Sequence, residues 1–306
     1  MSQASTTIKT TTDSQTSEGR QMSTQGTTSI SLYSSEVPLN IFSYIWQSVK
    51  HYSLIWVVGG YLLRNTYQRT VLGPIWLFVQ CILPVAGMIA VFNHVNSFQT
   101  SAIPYPLFLI SGMGLWTILD VGLKRGLRSL NYAKKYRKVV HAPRLAMIIA
   151  GLSIPLFHHM VFVAFLLGSA AFMWFTSGHL SLLIGFNLIY VPLSVLLTCM
   201  LVVGISAVLS VIFLMSRDIR HVIGALIQMW FFVTPIVYPL EILPDRLRLL
   251  SYYGNPMTSI VEIYRYGFFG GPEPQTFIMS AAVTICIFLF GVWFMMRSDW
   301  ILDDVL

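Results

Sequence analysis

Six long stretches of this chain carry a single charged residue between them, Asp120, and the fourth is uncharged from Leu180 to Met215. No other feature constrains the fold as tightly. A helix needs about 20 apolar residues to cross a bilayer. The stretches at 71–95, 104–123, 146–174, 181–214, 221–240 and 275–296 supply them. They are continuously apolar rather than alternating, so they predict helices and not barrel strands. Of the 306 residues, 55% are hydrophobic and 10% charged. An ordinary soluble domain carries about 25% charge, which excludes a soluble globular protein; the hydrophobicity excludes disorder of the whole chain. The expected fold class is an all-α polytopic membrane protein with six transmembrane helices.

The formal charge of +7 is distributed by side. With the N-terminus inside, the loops at 39–70, 124–145 and 215–220 and the C-terminus hold fourteen basic residues, against Arg246, Arg248 and Arg265 on the other face. This bias sets the orientation and puts both termini in the cytoplasm. It needs no nucleic acid to explain it, and no nucleic-acid-binding motif accompanies it. Residues 1–36 differ in kind. Twenty-two of them are Ser, Thr or Gln, which reads as a disordered cytoplasmic tail ahead of a transmembrane domain over 37–306.

Three segments outside the spans are informative. In 40–63, Phe42, Ile45, Val49, Tyr52 and Trp56 fall on one helical face, predicting an amphipathic helix in the membrane interface, bent or broken at Gly59-Gly60. At the mouth of the first span stand Arg64, Tyr67, Arg69 and Trp76. Two readings of this group are open. Basic and aromatic residues anchor spans at the headgroup level, and guanidinium groups hold phosphate bidentately. Between spans five and six, Asn255-Pro256 is a cap followed by a first-turn proline. It opens a helix over 257–269 that stops at Gly270-Gly271-Pro272. At about 20 Å it is too short to cross, so it is expected to be re-entrant or interfacial. A shorter helix begins at Pro244-Asp245.

No lysine follows a glycine, so there is no phosphate-binding loop of the G-K-[ST] type. No metal cluster is expected. Cys81, Cys199 and Cys286 are far apart in apolar runs and read as small packing residues. The adjacent His158 and His159 point about 100° apart on a helix and read as buried, neutral and hydrogen-bonded. Asp120 is the only acid within the spans; Lys124 at i+4 is its expected partner. The aromatic residues, 14% of the chain, are either packing residues or a path for sugar rings.

The stretches Tyr67 to Trp76 (YQRTVLGPIW), Phe232 to Pro244 (FVTPIVYPLEILP) and Asn255 to Gly270 (NPMTSIVEIYRYGFFG), in this order, resemble motifs of the permease subunits of type-2 ABC exporters for O-antigen, capsule and teichoic acid. Arg217-Asp218 fits the loop after span four. The resemblance covers about residues 40–306. It implies a homodimer working with two copies of a separate ATPase subunit. ATP and Mg would be bound there and no cofactor by this chain. It also implies a lipid-linked polysaccharide as substrate and the bacterial inner membrane as location. It makes Arg64, Tyr67, Arg69 and Trp76 candidates for the lipid pyrophosphate and adjacent sugar. Arg125, Arg128, Lys134, Lys135, Arg137, Arg217 and Asp218 become candidates for coupling to the ATPase. Tyr253, Asn255, Glu262, Tyr264 and Arg265 become candidates for an external gate. The alternatives are a type-2 exporter of small lipids or drugs, and a membrane enzyme acting on lipid-linked sugars, which the scarcity of buried acids disfavours.

Overall fold

The computed structural model describes residues 40–68, 73, 75–92, 103–131, 143–178, 182, 185–216, 218–271 and 275–298. Every regular element among them is helical. The helices are α1 (Ile41–Lys50), α2 (Tyr52–Tyr67), α3 (Ile75–Phe92), α4 (Tyr105–Gly126), α5 (Arg144–Gly151), α6 (Ser153–Ser177), α7 (Tyr190–Met215), α8 (Ile219–Val233), α9 (Asp245–Gly254), α10 (Pro256–Phe269) and α11 (Phe277–Arg297). Short 3₁₀ turns at Phe186–Ile189 and Leu240–Ile242 precede α7 and α9. The architecture is that of a polytopic helical membrane protein.

Among the described residues five helical segments are long and apolar enough to cross a membrane: Ile75–Phe92, Tyr105–Gly126, Arg144–Thr176, Phe186–Met215 and Phe277–Arg297. The expected fifth span, 221–240, is not one of them. Its helix, α8, stops at Val233 and is about 22 Å long, short of a hydrocarbon core of about 30 Å. The cause is Pro235, which disfavours helical backbone in the residue before it; Thr234 is extended, with φ −91 and ψ 134. The expected third span is continuous in sequence but interrupted at Leu152. Pro155 has no N–H for the carbonyl of Gly151, and its ring crowds that carbonyl.

The segment read as one helix bent at Gly59-Gly60 is two helices that part at His51. α2 continues unbroken through both glycines. Gly59 serves a contact instead: a Cβ there would lie 3.1 Å from the Cβ of Ser153, whose hydroxyl donates to the Gly59 carbonyl at 3.1 Å. α2 therefore packs on α5 and the start of α6. Phe42, Trp46, Tyr52 and Trp56 are exposed, whereas Tyr44 and Ser48 turn inward.

α4 is the central helix, packed against α6 and α7, and α7 packs in turn on α10 and α11. Small residues let these backbones approach, as membrane helices require. A Cβ on Gly204 of α7 would come within 2.6 Å of the Phe288 Cα in α11, and one on Gly291 would collide with the Gly204 carbonyl.

Candidate functional site

Tyr67 ends α2 and is buried against α6. Its hydroxyl lies 2.6 Å from Nε2 of His158. Burial raises the phenol above its ordinary value, and Arg125 partly offsets the rise. The phenol therefore stays protonated at neutral pH, able to donate. One residue assigned to the lipid-access group and one assigned to the coupling group thus bear on each other. Arg64 is exposed in the last turn of α2, and Trp76 is exposed in the first turn of α3. Arg69 lies outside the described residues, as do Lys134, Lys135, Arg137, Arg217 and the tail 1–36. Arg128 is exposed just past α4, and Asp218 is exposed at the start of α8.

His158 also lines a cleft of about 610 Å³ between α3, α4, α6 and α8. That volume is within the range of ligand pockets, roughly 300–1,000 Å³. α4 supplies more of its lining than any other helix, along a stripe stepping through Met113, Trp116, Thr117, Asp120 and Lys124. Lys124 pairs with Asp120 at 2.5 Å, as the i,i+4 spacing led one to expect. Gln80 enters from α3, and Gln228 and Phe231 from α8. Sequence reasoning passed over both glutamines. The available signal was an amide inside an apolar run, which is costly in lipid and marks a pathway by default.

Around the C-terminal end of α8 the polar groups are closed on one another. Pro235 ends the helix, so the carbonyls of the turn need other donors. Arg265 of α10 supplies them. Its Nη1 donates to the Pro235 carbonyl at 2.9 Å and to Glu262 Oε1 at 2.8 Å. Its Nη2 donates to Ile236 O at 3.1 Å and Phe108 O at 3.2 Å. The guanidinium sits 3.5 Å from the centre of the Phe108 ring. Gly112 makes room, since a Cβ there would lie 2.7 Å from Nη2. Burial raises the Glu262 carboxyl above its ordinary value, and Arg265 offsets only part of the rise.

Asn255 fixes the other end of α10. Its Oδ1 caps the helix by accepting from the Met257 N–H at 3.1 Å and also takes the Trp230 Nε1 hydrogen at 2.8 Å. Its Nδ2 donates to Thr234 Oγ1 at 2.8 Å. The predicted cap, helix and Gly270 stop are as the sequence led one to expect. Tyr264 is buried, its hydroxyl 3.4 Å from His159 Nε2. The two histidines thus face different partners, Tyr67 on α2 and Tyr264 on α10. Tyr253 stands apart in character, exposed on α9. Asn255, Tyr264 and Arg265 are therefore joined to the bundle by hydrogen bonds, and Glu262 is held by Arg265 on its own helix; the arrangement ties α10 to the end of α8 and the start of α4.

No family model matches the chain. It is similar to the O-antigen export system permease protein RfbA of Myxococcus xanthus, with 23% identity over 231 residues, covering 74% of this chain and 84% of that protein. Two proteins of the same name from Klebsiella pneumoniae are 25% identical over 238 residues and 24% identical over 225. These two matches cover 76% and 72% of this chain and 86% and 82% of those proteins. The resemblance to polysaccharide-export permeases read from the sequence is borne out by these relatives.

Proposed function

We propose that this chain is the channel-forming transmembrane subunit of an ATP-driven ABC exporter that moves a lipid-linked polysaccharide of the O-antigen type across the bacterial inner membrane. The observation that carries this reading is similarity to three O-antigen export permeases over more than four fifths of their length. The five long apolar segments agree with it.

In this reading α8, with the turn and 3₁₀ segment up to 242, completes a sixth crossing. α9 and α10 are re-entrant from the outside, held there by Arg265 and Asn255. α1 and α2 lie in the interface, their exposed aromatic residues in the headgroup layer. The domain spans 37–306, residues 1–36 are a cytoplasmic tail, and both termini are cytoplasmic. The chain is a transporter subunit rather than an enzyme and acts as a homodimer. Two ATPase subunits bind ATP and Mg and dock on Arg125, Arg128, Lys134, Lys135, Arg137, Arg217 and Asp218. Arg64 and Arg69 take the lipid pyrophosphate, with Tyr67 and Trp76 beside the first sugar. Glu262, Tyr264 and Arg265, with Tyr253 and Asn255, form the external gate region.

The test is deletion of the gene with complementation. Loss of surface polymer with accumulation inside, restored by the wild-type gene, supports the reading; intact surface polymer overturns it. Reversing Arg64 and Arg69 to Glu is expected to trap polymer inside while the chain still co-purifies with a subunit carrying a phosphate-binding loop. Unchanged surface polymer in that variant removes the phosphate role.

A further inference from the structure

We propose that His158 and His159 of α6 are positioning residues that join the lipid-access helix α2 to the gate helix α10, so that a shift at one is felt at the other. The inference rests on the export reading above, which gives neither histidine a role.

The two residues are adjacent, yet they serve different helices. His158 Nε2 lies 2.6 Å from the Tyr67 hydroxyl at the end of α2. His159 Nε2 lies 3.4 Å from the Tyr264 hydroxyl in α10, and those two rings stand edge to face with their centres 5.6 Å apart. Both histidines sit near the middle of the apolar segment Arg144–Thr176. The end of α2 and the middle of α10 therefore reach the same level of α6. All four side chains are buried. α4 packs on the second histidine as well: a Cβ on Gly114 would lie 3.4 Å from His159 Nδ1 and 3.1 Å from the Phe162 Cβ.

Chemistry makes these contacts different from the rest of the packing. Apolar contacts between helices can slide and be replaced by others like them. A hydroxyl bonded to an imidazole in apolar surroundings needs another polar partner before it lets go. Each hydroxyl can donate to its Nε2. Neighbouring Cα atoms are about 3.8 Å apart, and over that distance a helix turns as one body. A rotation of α6 that follows Tyr67 therefore carries His159, and Tyr264 with it. Two bonds that are merely structural would act one at a time; a link acts in both directions, because coupling is reciprocal.

The test uses the full chain in the complex in which it leaves the membrane, with hydrogen exchange read by mass spectrometry. Tyr67→Phe and Tyr264→Phe each remove one hydroxyl and keep the ring. Tyr67→Phe is expected to speed exchange about fivefold in α10, which Tyr67 does not touch, the equivalent of one neutral hydrogen bond. Tyr264→Phe is expected to do the same in α2. His158→Leu should reproduce the effect of Tyr67→Phe on α10, and His158→Gln, which keeps an acceptor near the Nε2 position, should not. Exchange that changes only in the helix bearing the substitution and in α6 overturns the link. So does a rise spread over all the helices, which is general loosening.

Export per chain gives the second readout. His158→Leu and Tyr264→Phe should each lower it about fivefold, and the double variant should be no worse than the worse single one. Losses that multiply mark independent sites and overturn the link, as does unchanged export in either single variant. Failure of the two readings is distinguishable. If gene deletion abolishes surface polymer and α10 does not respond to Tyr67→Phe, the link falls and the export reading stands. If deletion leaves surface polymer intact, the export reading falls and takes the link between entrance and gate with it.

Discussion

Two regions meet along α8, and they treat polar residues in opposite ways. Around its C-terminal end Trp230, Thr234, Asn255, Glu262 and Arg265 are paired with one another or with broken-helix carbonyls. Over its earlier turns Gln80 and Gln228 face a cleft, beside the Asp120–Lys124 pair. The first arrangement is what a fold does with polar groups it must neutralise. The second is what it does with polar groups it presents. In an apolar bundle the presence of a polar residue is a weak guide to role; whether its partners are internal is the stronger one. Arg265, the most conspicuous charge in the motif-rich segment, belongs to the first kind. The glutamines, inconspicuous in sequence, belong to the second.

The sharpest way to break this contrast is Arg265→Met. It removes the donor from the carbonyls of Phe108, Pro235 and Ile236 and strands Glu262. Removing one partner of a buried pair costs about 3–5 kcal/mol. The expected result is loss of a monodisperse peak in detergent or a large fall in thermal midpoint. Arg265→Lys should not rescue it, because an ammonium cannot serve so many acceptors in one plane. A stable Arg265→Met chain would mean that the network does not hold α10 in place.

Asn255→Ala comes next. It deletes the α10 cap, worth about 1 kcal/mol, and leaves Trp230 Nε1 without its acceptor in a part-buried site, for about 2–3 kcal/mol together. Asn255→Ser keeps a capping oxygen for the Met257 N–H and loses the reach to Trp230 and Thr234, so its effect should be smaller. Thermal midpoints of the purified variants check the ranking. Equal losses in the two variants would remove the cap from the account.

What was legible in the sequence divides along the same line. The α10 boundaries were, because Asn255-Pro256 and Gly270 act on backbone within one turn. The Asp120–Lys124 pair was, because i,i+4 neighbours meet on any helix. The lock was not. Phe108 lies 157 residues from Arg265 and Pro235 lies 30, and no local rule reports a partner at that distance. The length of α8 was misjudged because hydropathy integrates over a window and does not weigh what Pro235 does to Thr234. Gly59 was misread for a related reason. A glycine in a helix signals a bend or a close approach, and the contact with Ser153 that decides between them is 94 residues away. The cleft needed four helices to assemble before Gln80 and Gln228 shared a space.

The smallest expected effect on stability is the most discriminating. Gln228 is exposed, so Gln228→Leu should change the thermal midpoint by no more than about 0.5 kcal/mol equivalent, as for a surface substitution away from capping or buried networks. A slight gain is the more instructive outcome, because residues kept for function commonly sit at some cost to stability. If Gln228→Leu instead destabilises as much as Asn255→Ala, the amide is satisfied inside the bundle. The cleft would then be part of the core, and the two regions along α8 would no longer differ. Measured beside Arg265→Met in one detergent series, this variant decides whether the presented region is accessible, independently of any export assay.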